Sequence, residues 1–388
     1  MSYPVARLAD VTRIVDVTAP TEPLAEAAAR MSRLLPVRSA RPTHAGVLLR
    51  ADDNGLLLVS SDGELTVRLR VVATTHEPGE IVVSRRGLTD TMAALDAPEV
   101  RLTAEGPRLA VRMPGARFAL PRVGDAYPAP TRLPTAVGAI SGAELRAAAV
   151  PVAGAASREH ALPIFTGVRL RSHDGHVSLL ATGRYRLASA SVCWQPAGTG
   201  AVDALVPATV FAEAAKQAGR ADMVVVHADG DLFGLAWDGG SVVTSTLGAP
   251  FPDAQLDRLL DVVPECAIDV GADVLAGAVD RASRYAGAPG RVEVEAIDGA
   301  LRVRASDVLS GESEETVKAA VRGDHVTRFY QPRLLSDALR AFSGHTVQLR
   351  VQAGMRATEF TAGAGAAPAV HLRYLVVPMR PASSSDEG

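Results

Sequence analysis

His173 and His176 flank Asp174-Gly175, and paired imidazoles three residues apart are a familiar start for a metal site. No third or fourth ligand stands near them, and Asp-Gly is turn chemistry, so the pair reads as a solvated hairpin tip. The only cysteines, Cys193 and Cys266, are far apart and form no CxxC pair, so neither a disulfide framework nor a zinc site is indicated and a reducing cytoplasm fits. Gly363-Ala364-Gly365 looks like a fragment of a phosphate loop, yet it lacks the strand-GxGxxG-helix context and the GK[ST] ending, and reads as a flexible loop. No GxSxG elbow, HExxH helix or pair of neighbouring acid–base carboxylates is present. The acids Asp90, Glu213 and Asp337 are different: they recur at intervals of 123 and 124 residues. An acid that returns once per repeat suits a structural role in a helix better than a single catalytic centre.

That recurrence directs attention to the elements that carry it. The chain has 388 residues, 47% hydrophobic and 21% charged, enough for two to four folded domains. A hairpin pattern appears three times: Ala45 to Asp62 around Asp53-Asn54-Gly55, Thr166 to Gly183 around Asp174-Gly175, and Arg291 to Asp307 around Asp298-Gly299. Its last residues, Asp62, Gly183 and Asp307, are 121 and 124 apart. A short helix follows in each copy, at 84–93, 207–216 and 332–340, and another opens each copy, at 22–35, 141–158 and 271–285. Pro151 is expected to kink or split the middle one. Asp125-Ala126-Tyr127-Pro128 and Ala249-Pro250-Phe251-Pro252 close the first two copies, and linkers follow each. These phases predict three α+β modules, each an antiparallel sheet with two helices on one face, at residues 1–128, 134–254 and 262–381, with a tail at 382–388. No run of 18 apolar residues occurs, so no membrane span is expected, and the charged residues Arg7, Asp10, Arg13 and Asp16 break up any secretory leader. Forty basic against 43 acidic residues, a net charge of −3, exclude a uniformly basic coating protein but permit positive charge on one surface.

Leu162-Pro163-Ile164-Phe165-Thr166-Gly167-Val168, then Ala181-Thr182-Gly183-Arg184-Tyr185-Arg186-Leu187-Ala188, and finally Tyr374-Leu375-Val376-Val377-Pro378-Met379-Arg380-Pro381 resemble the bacterial DNA polymerase III β subunit, the sliding clamp. With the threefold repeat the likeness spans nearly the whole chain. It implies a head-to-tail dimeric ring of six modules with helices lining the hole, no catalysis and no cofactor. It implies double-stranded DNA as a sequence-independent partner, and the polymerase III α subunit, the clamp loader and repair proteins as peptide partners.

The resemblance also implies sites. A peptide groove would use Phe165, Thr182, Arg184, Tyr185, Arg186, Leu187, Pro252, Leu375, Val377, Pro378, Met379 and Arg380. Arg30 with Arg33 and Arg281 with Arg284, each pair i,i+3 on a helix, together with Arg38, Arg41, Arg158 and Lys216, would attract DNA phosphates. Phe118 and Leu120 would meet Arg284 and Tyr285 of a second copy across the dimer joint. The sequence departs from the family in three places near the groove. Gly183 replaces an acid, Ala254-Gln255-Leu256-Asp257 replaces a Tyr-Arg-apolar run, and Pro381 replaces a terminal leucine. The Ala-, Gly-, Arg- and Val-rich composition fits a high-GC, actinobacterial-like genome, and an altered groove suggests an extra clamp copy that tolerates a groove-binding antibiotic. The rival reading is a threefold-repeat enzyme whose site is not recognised.

Overall fold

The computed structural model describes residues 5–7, 15–35, 42–124, 126–159, 161–288, 290–363 and 370–381. The chain forms two compact units, and the middle repeat contributes to both. One comprises residues 1–143, 195–206 and 213–246, and the other residues 144–194, 207–212 and 247–388.

Seven α-helices are described: α1 Thr21–Leu34, α2 Arg85–Ala93, α3 Gly142–Ala155, α4 Ala208–Ala218, α5 Asp253–Asp257, α6 Ala272–Ala282 and α7 Pro332–Arg340. Six are the expected pairs, two per repeat. The opening helix buries one stripe in each repeat, and that stripe recurs in phase. Thr21, Leu24, Ala27, Ala28 and Met31 on α1 correspond to Leu145, Ala148, Ala149 and Val152 on α3, and to Ala272, Leu275, Ala278, Val279 and Ala282 on α6. On α3 that stripe runs past Pro151 and holds Gly142–Ala155 as one unbroken element, so the expected split does not occur.

The unexpected helix is α5. Residues 252–264 read as a linker, but Asp253–Asp257 is helical and Arg258–Leu260 continues as a 3-10 turn. One apolar anchor explains it: Leu256 is buried in a cluster with Leu180, Leu187 and Leu375. Arg169 holds Asp253 at 3.3 Å, and Arg171 holds Asp257 at 3.5 Å. A short polar stretch with one buried leucine has too little periodicity to declare itself as a helix.

In the first unit a nine-stranded antiparallel sheet joins two repeats. Gly240–Ser245 pairs with Leu65–Val71, Gly240 opposite Leu69 and Thr244 opposite Leu65. A five-stranded sheet ends on Ala116–Pro121, whose outer edge has no strand partner among the described residues. In the second unit Arg186–Cys193 pairs with His371–Val376, Arg186 opposite Val376 and Ser191 opposite His371. Each of the three hairpin turns places its glycine at positive φ, Gly55 at 100°, Gly175 at 74° and Gly299 at 71°; at the middle one Asp174 is positive as well, at 48°, as a type I′ turn demands. No helix among the described residues is long and apolar enough to cross a membrane.

Candidate peptide groove and basic helix faces

A concavity in the second unit lies where Arg186–Cys193 meets His371–Val376. It encloses about 330 Å³. Of the residues expected there, Thr182, Arg184, Arg186, Leu187, Leu375 and Val377 line it, together with Gly183. Sequence reasoning missed Arg258, Leu259, Asp261, Gln352, Arg356 and Ala357. The first three come from the segment read as a linker. The last three sit at the turn between Thr346–Gln352 and Thr358–Ala362, some 170 residues from the Thr182 motif, and no local signal marks them.

The other expected groove residues stand beside this lining. Phe165 belongs to a 3-10 turn, half-buried, and its carbonyl accepts the Ser157 N–H at 2.7 Å. Tyr185 is exposed with the Arg184 guanidinium 5.6 Å over its ring, and its carbonyl accepts the Val377 N–H at 2.9 Å. Pro252 caps α5. Pro378 is buried, Arg380 is exposed, and the Met379 N–H donates to the Phe329 carbonyl at 2.6 Å.

Leu187, Leu375 and Leu256 supply the apolar base, and Thr182 is fixed by donating its hydroxyl to the Arg186 carbonyl at 2.8 Å. Arg186 is nearly buried. It donates to the Ala155 carbonyl at 3.2 Å and pairs with Asp337 on α7 at 2.7 Å. A Cβ at Gly183 would sit 3.0 Å from the Ala155 carbonyl oxygen, so a side chain there would require that neighbour to give by a few tenths of an ångström. Burial pushes the neighbouring Tyr374 hydroxyl up to about 12, with Arg186 pulling the other way, so the phenol stays neutral behind the groove. The wall carrying Leu259 and Asp261 is clipped in place. Arg373 donates to the Leu260 carbonyl at 2.5 Å and Arg350 to the Val262 carbonyl at 3.2 Å, and both arginines pair with Glu359, whose side chain is fully buried. Arg184, Arg258 and Arg356 have no ion-pair partner among the described residues, so the groove combines an apolar base with a basic rim. Such a surface suits a short apolar peptide.

The basic helix faces turn out largely self-neutralised. Arg30 pairs with Glu26 at 2.5 Å on α1. Arg33 pairs with Glu213 on α4 at 3.0 Å, and Lys216 approaches the same acid at 4.0 Å. Arg281 pairs with Glu315 at 2.6 Å and holds that carboxyl below its usual range. Arg158 and Arg284 are exposed and without an ion pair among the described residues. Arg38 and Arg41 lie outside the described residues. Helical spacing put Arg30 with Arg33 and Arg281 with Arg284 on shared faces, but their acid partners come partly from other elements.

At the expected dimer joint, Phe118 and Tyr285 are partly exposed, at 40% and 36%. Leu120 is buried within its own unit and packs beside Gly87, so it belongs to the core rather than to an open face. His173 and His176 sit at the expected turn. His173 Nδ1 lies 2.8 Å from Asp174, and His176 Nε2 lies 3.9 Å from Cys193 Sγ.

Three family descriptions match along the chain: the N-terminal domain of the DNA polymerase III beta subunit at residues 15–129, its central domain at 139–253 and its C-terminal domain at 262–380. The beta sliding clamp of Streptomyces coelicolor is 32% identical over 333 residues, 84% of this chain and 88% of that protein. The beta sliding clamp homolog GriR of Streptomyces muensis is 27% identical, over 92% of this chain and 97% of that protein. Among solved structures, the griselimycin-bound sliding clamp of Pseudomonas aeruginosa superposes with a TM-score of 0.83 at 21% identity, covering 95% of this chain and all of that one. The Thermotoga maritima beta subunit gives 0.82 at 19% identity with the same coverage. The chain therefore belongs to the DNA polymerase III beta subunit family: it is a sliding clamp, a processivity factor of the polymerase rather than an enzyme.

Proposed function

We propose that two copies of this chain close head to tail into a ring around duplex DNA in the cytoplasm, and that the groove at Leu187, Leu375 and Val377 tethers the polymerase III α subunit, the clamp loader and repair proteins by short peptides. The supporting observation is the behaviour of the sheets at the repeat joints. Repeats one and two share a sheet within the first unit, and repeats two and three share one within the second. Among the described residues Ala116–Pro121 remains a free edge, and Gly311–Gly323 pairs on one side only along its first half. Unpaired edges invite strand addition, and a second copy offers the complementary edge at each end. The test is loading onto nicked circular DNA followed by linearisation. The clamp is expected to remain on the circle and to slide off after cutting; retention on the linear product would refute topological linkage.

Arg30, Arg33, Arg158, Lys216 and Arg281, with Arg38 and Arg41, are proposed to face the phosphates. The acids beside several of them hold the attraction low, which suits a linked ring that must slide. Glu213→Gln removes the charge shared by Arg33 and Lys216. The salt dependence of duplex binding should steepen by roughly 1 to 2 in log–log slope, read by fluorescence anisotropy across a salt series. An unchanged slope would remove Arg33 and Lys216 from the DNA face.

A second reading concerns the role of the copy. The groove wall carries Arg258 and Leu259 from a rebuilt segment, and the chain is similar to the clamp homolog GriR over nearly its whole length. Both fit an extra clamp that keeps a polymerase peptide while binding a groove-directed antibiotic poorly. Side-by-side titration of griselimycin and a polymerase peptide against this and an ordinary clamp decides it: equal inhibitor affinity sinks the reading.

A further inference from the structure

The three recurring acids occupy one position of the second helix in each repeat, and two of them perform the same task. Glu213 on α4 reaches back to the preceding repeat and takes Arg33 at 3.0 Å. Asp337 on α7 does likewise and takes Arg186 at 2.7 Å. The two guanidiniums come from different elements yet mark the same place. Arg33 lies next to the last residue of α1. On α3 the equivalent residue is Gly154, without a side chain, and Arg186 fills that place from a strand, donating to the Ala155 and Ala156 carbonyls at the helix end. Each repeat joint within the chain is thus pinned by a cation at the C-terminal end of an opening helix and an acid on the next repeat's second helix, an arrangement that the helix dipole also favours.

Among the described residues the third acid and the third cation have no such counterpart. Asp90 on α2, in the first of the three repeats, pairs instead with Arg86 on its own helix, at 3.3 Å with both side chains about two-thirds exposed. A pair that open to water holds little. At the other end, the buried stripes of α1 and α6 align residue for residue, which makes Arg284 the equivalent of Arg33. Arg284 is exposed and has no ion pair among the described residues. The next position agrees. Leu34 is 8% exposed and Ala155 is 0% exposed beneath their joints, whereas Tyr285, their equivalent, is 36% exposed.

We infer that Asp90 of one copy pairs with Arg284 of a second copy, completing between chains the pin that Glu213–Arg33 and Asp337–Arg186 form within one. The contact is heterologous and occurs twice in a closed dimer. The inference rests on the ring proposed above. It also gives Arg284 an interface role in place of a phosphate contact.

The experiment is charge reversal with mixing. D90R and R284D each set like charges against each other at both joints, so each alone should dimerise about tenfold or more weakly than wild type at low salt. An equimolar mixture should restore wild-type affinity as a heterodimer. One joint then holds the two introduced charges facing each other, and the other holds native Asp90 facing native Arg284. Native mass spectrometry resolves the three species, and circular dichroism checks that each variant is folded. Should a reversal misfold, D90N and R284Q serve instead, each expected to weaken the dimer about threefold. Variants that dimerise like wild type, or a mixture no tighter than its parts, overturn the pairing. A wild-type chain that stays monomeric under the same conditions overturns the ring itself.

Discussion

Replacing Glu359 by alanine is expected to cost the second unit about 3 kcal/mol of stability, toward the low end for breaking a buried ion pair. Glu359 lies in Thr358–Ala362 with its side chain fully out of water, and two guanidiniums, from Arg350 across the ladder at 2.6 Å and from Arg373, converge on it. Removing the carboxylate leaves a cavity and two cations without their common anion. Both arginines keep about a third of their side chains exposed, so water partly rehydrates them, and this limits the loss. The same arginines hold the Leu260 and Val262 carbonyls, so the wall bearing Leu259 and Asp261 should loosen and peptide affinity should fall with stability. Glu359→Gln keeps the volume and an acceptor and should lose about half as much. Urea unfolding in a Trp237→Phe background, where buried Trp194 reports on the second unit, measures both variants. A loss below about 1 kcal/mol for the alanine variant would mean that the clip is incidental.

Val377→Asn is expected to weaken binding of a polymerase-derived peptide about thirtyfold, corresponding to about 2 kcal/mol. Val377 is 37% exposed at the groove, beside Leu187 and Leu375, and it follows the strand that ends at Val376. An apolar anchor seated there would cover the new amide and strip its water without offering it a partner. Because the wild-type side chain is already partly in solvent, the unfolding midpoint should stay close to wild type, and a urea curve of the same variant checks this. Calorimetric titration at constant salt reads the affinity. Unchanged peptide affinity would move the binding site away from Val377.

The three-module plan was legible because it is written in local chemistry. Asx-Gly turns, alternating strands and helix stripes repeat every 120 or so residues, and each needs only near neighbours in sequence to be recognised. Half of the expected groove residues proved to line it for the same reason: Thr182, Arg184, Arg186 and Leu187 sit in one short run, and Leu375 and Val377 in another. What could not be read locally was anything made by distant partners. Leu256 turned an apparent linker into α5 because its cluster gathers Leu180, Leu187 and Leu375 from three other places in the chain. Arg356 and Gln352 enter the groove from a turn that carries no motif.

The sequence by itself determined the repeat, its phases, the family and the two runs that meet at the groove, since these depend on residue type and spacing along one strand or helix. The tertiary structure alone decided which charges remain available. Arg30, Arg33, Lys216 and Arg281 lie on helix faces as spacing requires, yet each is held by an acid, and Glu213 and Glu315 arrive from elements far away in the chain. An ion pair's strength depends on distance and burial, which spacing along the chain does not encode. The recurring acids show the same division: their period was plain from the start, but that two of them pin joints between repeats, and that Asp90 and Arg284 are left over, follows only from where the fold sets each guanidinium.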